Sequence, residues 1–394
     1  MNGTVLNKTD LAAWRTLLAR PEGGERWLSA GIYLFAAFII PNAGLTILCA
    51  LFVAACVAYL VTRTNAFLPL LAPGIPALLL FTLTGSPAPS AIFLALLFGG
   101  ATGAILISSV KSPREGLLLT LLPLLAFLAA WPLCGNPLLA LLTLIPLPLA
   151  LVGAFALRRC KPFCTAIAAL AAALVATLAA VGIIALLANG MSLNAIDRLP
   201  ALMSALEETV LETAKETAAL YPEIDVSEVL SPTAVHNMIA LTVNLSPGIF
   251  VALCLVVAYF IWRTLCTLLV ALRMLPRLPR VFTTPLPSAV SAIVFILAFL
   301  TALFAGSATT LAGAVAENLA LMLTPVFVLI GFAALFGHGA QRSCLSVLLL
   351  IGMAYLLFNN PPLALNFAAL YGAIQALIVA HRSAKANNNS KGEP

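Results

Sequence analysis

The sequence predicts an all-α integral membrane protein with about 12 transmembrane helices. Of its 394 residues, 62% are hydrophobic and only 9% are charged, and the mean hydropathy is +1.09. Apolar runs of about twenty residues, the length that crosses a ~30 Å hydrocarbon core as a helix, recur along the chain. These runs are continuous rather than alternating, which argues against the strands of a transmembrane barrel.

Charged residues, prolines, glycines and asparagines divide the chain into predicted spans. The run before Pro41 and Asn42 is short for a bilayer, so the first two spans could instead form one broken helix. The spans cover approximately residues 27–41, 43–62, 66–84, 90–109, 116–134, 137–157 and 163–188, and then 247–272, 286–306, 314–337, 343–358 and 361–381.

The basic residues predict the orientation, since Lys and Arg collect in short cytoplasmic loops. When twelve spans alternate from a cytoplasmic N-terminus, eighteen of the twenty Lys and Arg fall on the cytoplasmic side. Only Arg198 and Lys215 fall on the opposite side. Both termini are therefore predicted to be cytoplasmic.

Five segments follow from these spans. Residues 1–26 form a charged cytoplasmic tail that lacks the apolar core of a cleaved signal peptide. Residues 27–188 form a first bundle of about seven helices, and 189–246 form an acidic, amphipathic, extracytoplasmic helical segment. A second bundle of about five helices covers 247–382. Residues 383–394 are predicted to be a disordered cytoplasmic tail.

The acidic segment holds eight of the fourteen acidic residues, between Asp197 and Glu228. Apolar residues at helical spacing predict an amphipathic helix there, followed by a short one from Val226 to about Met238. Because its acids are repelled by anionic lipid, the apolar stripe is predicted to pack on the ends of the spans, as a resting helix or as a lid. The stripe consists of Leu199, Leu202, Met203, Leu206, Val210, Ala214 and Ala218, and Glu207, Glu208, Glu212, Lys215 and Glu216 lie largely off it.

Polar residues inside spans are the candidates for ligand contact, because they are costly in hydrocarbon. Arg263 lies within a long apolar run, where it either faces the bundle interior and holds an anionic group or snorkels to the interface. Glu317, at the outer end of its span, fits an interfacial carboxylate beside Asn318. Asn366 and Gln375 lie in the last span, where polar side chains bond across helices.

Signatures of catalysis are missing from the sequence. The three histidines lie far apart, and the CxxxC pair Cys160 and Cys164 has no second pair of ligands, so no metal site is predicted. There is no phosphate-binding or dinucleotide-binding glycine motif. We therefore predict that the protein is not an enzyme, that it has no cofactor and no nucleic-acid partner, and that its surroundings are a lipid bilayer.

Small residues form faces on which helices can approach closely. Ala50, Ala54 and Ala58 line one face of the second span, and Gly99 and Gly103 form a GxxxG pattern in the fourth. Such faces serve either internal packing or docking of a partner subunit.

The order of features supports a resemblance over about residues 25–382. Six or seven spans and an outer acidic helix precede NLSPGIFVALCLVVAYFIWRTLCTLL, TTPLP, ENLALMLTPVFVLIGFA and LYGAIQALIVAHR. This order resembles the YybS-like family of bacterial polytopic membrane proteins, which is grouped with the S components of energy-coupling-factor transporters. The matching positions are Pro247, Arg263, Pro285, Pro287, Asn318, Gly331 and Gly372.

The resemblance implies a bacterial inner-membrane protein that binds a small molecule from the outer side. Ala50, Ala54 and Ala58 would then face a transmembrane coupling subunit. Two other interpretations stay open. In one, the protein is a non-transporting scaffold whose acidic helix recruits a periplasmic or cell-envelope partner. In the other, it is an enzyme acting on lipid-linked substrates, with Arg263 holding a phosphate.

Overall fold

The structure, a computed structural model, is built from helices, and no strand occurs in the residues that it describes. The predicted all-α fold class is therefore confirmed. The described residues are 24–39, 74–110, 112–134, 140–188, 203–204, 207–213, 231–272, 274, 282, 288–305, 310–337 and 344–391.

The helices form from Leu- and Ala-rich runs, which have high helix propensity and satisfy their backbone polar groups internally. A 3-10 turn at Leu141–Leu144 precedes the fifth helix. The helices are α1 Gly24–Ile39, α2 Gly74–Thr84, α3 Pro87–Ser108, α4 Pro113–Cys134, α5 Pro146–Arg158, α6 Phe163–Ala188, α7 Pro232–Ala271, α8 Ala289–Ala305, α9 Leu311–Gly337, α10 Cys344–Asn359 and α11 Pro361–Lys391.

Seven helical segments in the described part of the chain are long and apolar enough to cross a membrane. A shorter apolar helix covers Ala289–Phe304. The predicted span 43–62 lies outside the described residues. The seven segments are Pro89–Ser108, Arg114–Pro132, Leu141–Arg158, Phe163–Ala188, Thr233–Ala271, Leu311–Leu335 and Pro361–Arg382.

Helix α7 begins earlier than the sequence predicts. Ser231 caps it by accepting a hydrogen bond from the Ala234 N–H (3.3 Å), and Pro232 occupies the first turn. Residues 232–246 are therefore continuous with 247–271, and the predicted short helix from Val226 to Met238 and the predicted boundary at 246 differ from the structure. At 1.5 Å per residue α7 is about 60 Å long, roughly twice the hydrocarbon core.

The C-terminal end also differs from the prediction. Helix α11 continues to Lys391, so it includes most of the tail 383–394 that was predicted to be disordered. The local sequence explains this difference. No glycine or proline, the residues that commonly end helices, occurs between Gly372 and Gly392.

Two hydrophobic cores meet at α7. The first core joins α3, α5 and α6 to the second half of α7, where Trp262 is fully buried and its Nε1–H donates to the carbonyl of Phe282 (3.0 Å). The second core joins α8, α9 and α11 around Phe295 and Phe327. Helix α7 also packs on α9. It thus belongs to the first core, although the predicted division assigns 247–382 to a second bundle.

The GxxxG pattern of α3 serves internal packing. A Cβ on Gly103 would lie 2.5 Å from the Tyr33 ring of α1 and 2.7 Å from Ala150 of α5, and a Cβ on Gly99 would lie 2.8 Å from Ala36. Glycine is required at both positions because α1 and α5 approach the α3 backbone from two sides.

One end of the first core carries Arg26, Arg158 and the ion-pair partner Glu115. We call it the basic end. The Arg158 guanidinium donates to the carbonyls of Ile107 (2.8 Å), Ser108 (3.2 Å) and Val110 (3.0 Å), which caps the C-terminus of α3. Arg26 lies 3.7 Å from Glu115. The start of α1 and the ends of α3 and α5 therefore share this end.

Candidate functional site

The candidate site forms where α7 is interrupted. Pro247 lies inside the helix and lacks the N–H that would bond to the carbonyl of Val243. The hydroxyl of Ser246 donates to that carbonyl instead (2.8 Å). The helix continues through the proline because a side chain replaces the missing backbone donor.

Asn318 of α9 bridges the next turn of α7. Its Oδ1 accepts from the Gly248 N–H (2.7 Å), and its Nδ2 donates to the Asn244 carbonyl (2.8 Å). In an uninterrupted helix these two backbone groups would bond to each other. The carboxamide has thus been inserted into the helix and satisfies both groups, while Nδ2 also donates to Ala314 of its own helix (2.9 Å).

Gly248 makes this bridge geometrically feasible. A Cβ at this position would lie 2.7 Å from Asn318 Oδ1 and 3.0 Å from Asn318 Cα. No side chain fits that space unless α7 and α9 separate, so the Pro247–Gly248 pair and Asn318 form one structural unit. We call it the Asn318 bridge.

Glu317 lies beside the bridge, and one of its carboxylate oxygens is shielded without a partner. Within the described part of the chain, Tyr33 Oη, Thr264 Oγ1 and Glu317 Oε2 are buried polar atoms that make no hydrogen bond. Of the three groups, only Glu317 is a carboxylic acid. It is also the only acidic residue in the sequence between Glu228 and Glu393. A buried acceptor of this kind is stabilised by a donor or a cation.

Arg263 lies apart from this carboxylate. Its side chain is exposed on α7, and its carbonyl accepts from the Thr267 hydroxyl (2.9 Å). It forms no ion pair with any residue that the structure describes. The side chain therefore does not point into either core, which disfavours the interpretation that it holds a group inside the bundle.

No hydrogen bond joins the other candidate residues to Glu317 or Asn318 in the described part of the chain. Asn366 is exposed and Gln375 is half-buried on α11. They are nine positions apart on the helix, so they lie on opposite faces of it. Ala50, Ala54 and Ala58 lie outside the described residues.

The acidic segment contacts α7 through a hydrogen bond between two side chains. Residues 207–213 are helical, and Glu207 Oε1 lies 2.6 Å from His236 Nδ1. Val210 is half-buried while Glu208 is exposed, as the predicted stripe requires. Glu207, which the prediction placed largely off the stripe, lies on the packed side because His236 attracts its carboxylate. Leu206 lies outside the described residues.

Cys160 lies two positions after the last residue of α5, and Cys164 lies in the first turn of α6. No group of three or more His, Cys, Asp or Glu side chains converges in the described ranges. Cys160 is buried, at φ 49°, and ends α5 with the hydrogen bonds from Cys160 N to Leu157 O (3.0 Å) and from Lys161 N to Ala156 O (2.9 Å). Burial raises the pKa of the Cys160 thiol, which disfavours the thiolate that metals and electrophiles need.

Sequence reasoning missed Gly248 as a site residue. The available signal was the dipeptide Pro247–Gly248 inside an apolar run, since both residues weaken a helix and persist together only where something replaces the lost bond. The sequence contained no indication that Asn318 is the replacement.

Comparison with known proteins places the chain in a family. No curated protein and no solved structure matches it at a significant level. One family model matches residues 110–337, which include Arg158, Arg263, Asn318 and Gly331. Because this match covers more than half of an apolar, all-helical chain, the protein is a member of the family described as "Predicted membrane protein (DUF2232)".

Proposed function

We propose that this protein is a transport-related component of a bacterial inner membrane that binds a small molecule at Glu317, beside the Asn318 bridge. The observation that carries the proposal is the shielded Oε2 of Glu317, which makes no hydrogen bond within the described structure. Interrupted helices that meet a polar side chain are typical of solute sites in membrane transporters. The S-component resemblance supports the same class of function.

The chemistry of the site limits the ligand. An ionised carboxylate accepts hydrogen bonds and attracts cations, so the ligand should present an amine, another cationic group or an N–H or O–H donor. Asn318 is not expected to contact the ligand directly, since its amide already bonds to Gly248, Asn244 and Ala314. It is a positioning residue that holds α7 and α9 together next to Glu317.

The test is identification of small molecules that co-purify from native membranes, by mass spectrometry of the denatured protein. Glu317→Gln should bind the identified compound at least about tenfold more weakly, because a hydrogen bond to a charged group contributes about 1.5–3 kcal/mol. The matched control is Glu212→Gln, an exposed carboxylate of the acidic segment. Equal binding by both variants, or recovery of no compound near equimolar amounts, would remove the support for this function.

A scaffold is the second candidate, and the acidic segment favours it. The hydrogen bond between Glu207 and His236 anchors the segment, while Glu208 and Glu212 are exposed and available to a basic partner. Proteolysis of intact spheroplasts tests the anchoring. Val210→Glu should make the segment cleavable, because it places a charge on the packed face, whereas Glu208→Gln should not.

Partner binding separates the two candidates. A scaffold should lose its co-purified envelope protein when Glu208→Lys and Glu212→Lys are combined, with small-molecule binding unchanged. A transport component should keep its ligand and should lose it instead with Glu317→Gln.

A further inference from the structure

A cavity of about 310 Å³ lies between α6, α7 and α9, just beyond the Asn318 bridge. Ile167, Leu255, Phe260 and Val328 are among the residues that line it, and Leu365 of α11 contributes at one side. The hydroxyl of Thr324, one of its few polar groups, already donates to the carbonyl of Ala320 (2.8 Å). The cavity therefore presents an almost wholly apolar surface.

Hydrocarbon is the occupant that this surface favours. A buried water needs two to four polar partners, which these walls do not provide. An empty cavity would leave its lining atoms without dispersion contacts. The protein belongs to a membrane family, so the surrounding medium offers acyl chains that can enter between the helices.

Arg263 continues the face of α7 that lines the cavity. The lining residues Leu255, Val256, Tyr259 and Phe260 follow the spacing of one helix face, and Arg263 lies one turn further along it, at i+4 from Tyr259. Helical side chains lean toward the N-terminal turn, so a rotamer of Arg263 can place the guanidinium back over Tyr259, at the edge of the cavity. It is exposed and makes no ion pair in the described chain.

A second basic residue, Lys161, precedes the cavity-lining residue Phe163 by two positions. The Phe163 ring at the start of α6 contacts the Tyr259 ring edge to face, with 6.1 Å between centroids. Lys161, two residues before Phe163, is therefore close to the level of Arg263, on the side of the basic end. Its side chain is half-buried.

The dimensions suit a phospholipid. Arg263 lies eight residues before the end of α7 at Ala271, about 12 Å along the helix, and Leu255 lies about 12 Å further into the apolar region. Half of a hydrocarbon core measures about 15 Å. The distance of about 12 Å from a headgroup at Arg263 to a tail that ends at Leu255 is therefore close to the thickness of one leaflet.

We propose that this surface binds an anionic glycerophospholipid, with an acyl chain in the cavity and the phosphate at Arg263 and Lys161. Lipid headgroups are held by basic residues between helices near the membrane surface, and each Lys or Arg contributes about a fivefold change in affinity there. The site is separate from Glu317 and does not depend on the proposed function.

The experiment is native mass spectrometry of the full chain in detergent micelles titrated with phosphatidylglycerol or with phosphatidylethanolamine. The parent protein should bind one molecule of phosphatidylglycerol, and more tightly than it binds phosphatidylethanolamine. Arg263→Gln should bind it about fivefold more weakly, and Arg263→Lys should retain most of the binding. Ala168→Phe, which fills the exposed rim of the cavity, should weaken both lipids.

Arg382→Gln is the matched control, since this exposed arginine at the end of a predicted span lies away from the cavity. Equal affinity of Arg263→Gln and Arg382→Gln would overturn the phosphate contact. Unchanged binding by Ala168→Phe would overturn the acyl position. Cross-linking of Ala168→Cys in native membranes to a protein rather than to lipid would show that a partner helix covers this face, which would also overturn the proposal. A melting temperature within a few degrees of the parent establishes that each variant is folded.

Discussion

At the scale of single residues, two glycines determine how closely α9 and α11 approach. A methyl group on Gly331 would overlap the carbonyl oxygen of Ala368, and one on Gly372 would overlap that of Phe327. Both obstacles are backbone atoms, which cannot move aside as a flexible side chain could. The two helices can separate only at the expense of the second core, in which Phe327, Ala369 and Ala373 are buried.

Gly331→Ala and Gly372→Ala should therefore each destabilise the protein by about 1–3 kcal/mol or more, through overpacking. Thermal unfolding in detergent measures the effect. The control is Gly352→Ala in α10, where a Cβ has open space and where helix propensity should raise stability by about 0.5–1 kcal/mol. If all three variants unfold at the same temperature, the contact between α9 and α11 is looser than the structure shows.

At the scale of elements, α7 is a long helix that depends on its neighbour for continuity. Pro247 removes one backbone donor and the bridge by Asn318 replaces the following bond, so the helix is completed by a side chain of α9. This dependence couples the two cores, since the second half of α7 packs in the first core and α9 in the second. Glu317 precedes the bridging residue Asn318 on α9.

Asn318→Leu should cost about 1–3 kcal/mol for each backbone group that it leaves unpaired, namely the Gly248 N–H and the Asn244 carbonyl. Amide hydrogen exchange should increase around Gly248, and the melting temperature in detergent should fall. Asn359→Leu is the control, because Asn359 is exposed and donates only to Tyr355 of its own helix (2.9 Å). Similar losses in the two variants would mean that the bridge contributes no more than a local surface bond.

At the scale of the whole molecule, basic residues from separate described helices meet at the basic end of the first core. Arg158 joins the ends of α3 and α5, and the pair of Arg26 and Glu115 brings in the start of α1. These segments come from distant parts of the sequence. Their convergence is what the positive-inside rule requires of loops that share one side of a membrane. The side that this end faces stays a prediction.

Labelling of single cysteines tests that orientation in an otherwise cysteine-free chain. Native Cys160 is a poor reporter because it is buried and burial raises the pKa of its thiol, so the neighbouring Lys161→Cys is preferable. A membrane-impermeant maleimide should label Lys161→Cys only after lysis and Asn359→Cys in intact spheroplasts. Reaction of Lys161→Cys from outside would reverse the orientation.

Composition and hydropathy were enough to predict the fold class and the position of most helices. Hydropathy and helical spacing are local properties, and each long apolar run must satisfy its own backbone hydrogen bonds in lipid, so α3, α4, α6 and α9 lie close to their predicted spans. Local reasoning was least accurate for α7. The sequence contains the helix-capping residues Ser231 and Pro232. The length of the apolar run, however, does not show that the helix extends beyond the bilayer.

Contacts between helices that are distant in the sequence establish which candidate residues lie together. Asn318 and Gly248 are separated by 70 positions, and their contact depends on which faces of α7 and α9 meet. Glu317 and Arg263 were both visible as charges in apolar surroundings, but the sequence could not show that one has a shielded oxygen and the other is exposed on α7. Packing of helix faces is a non-local property: each face can bury its apolar surface against several others, and only the assembled bundle selects among them.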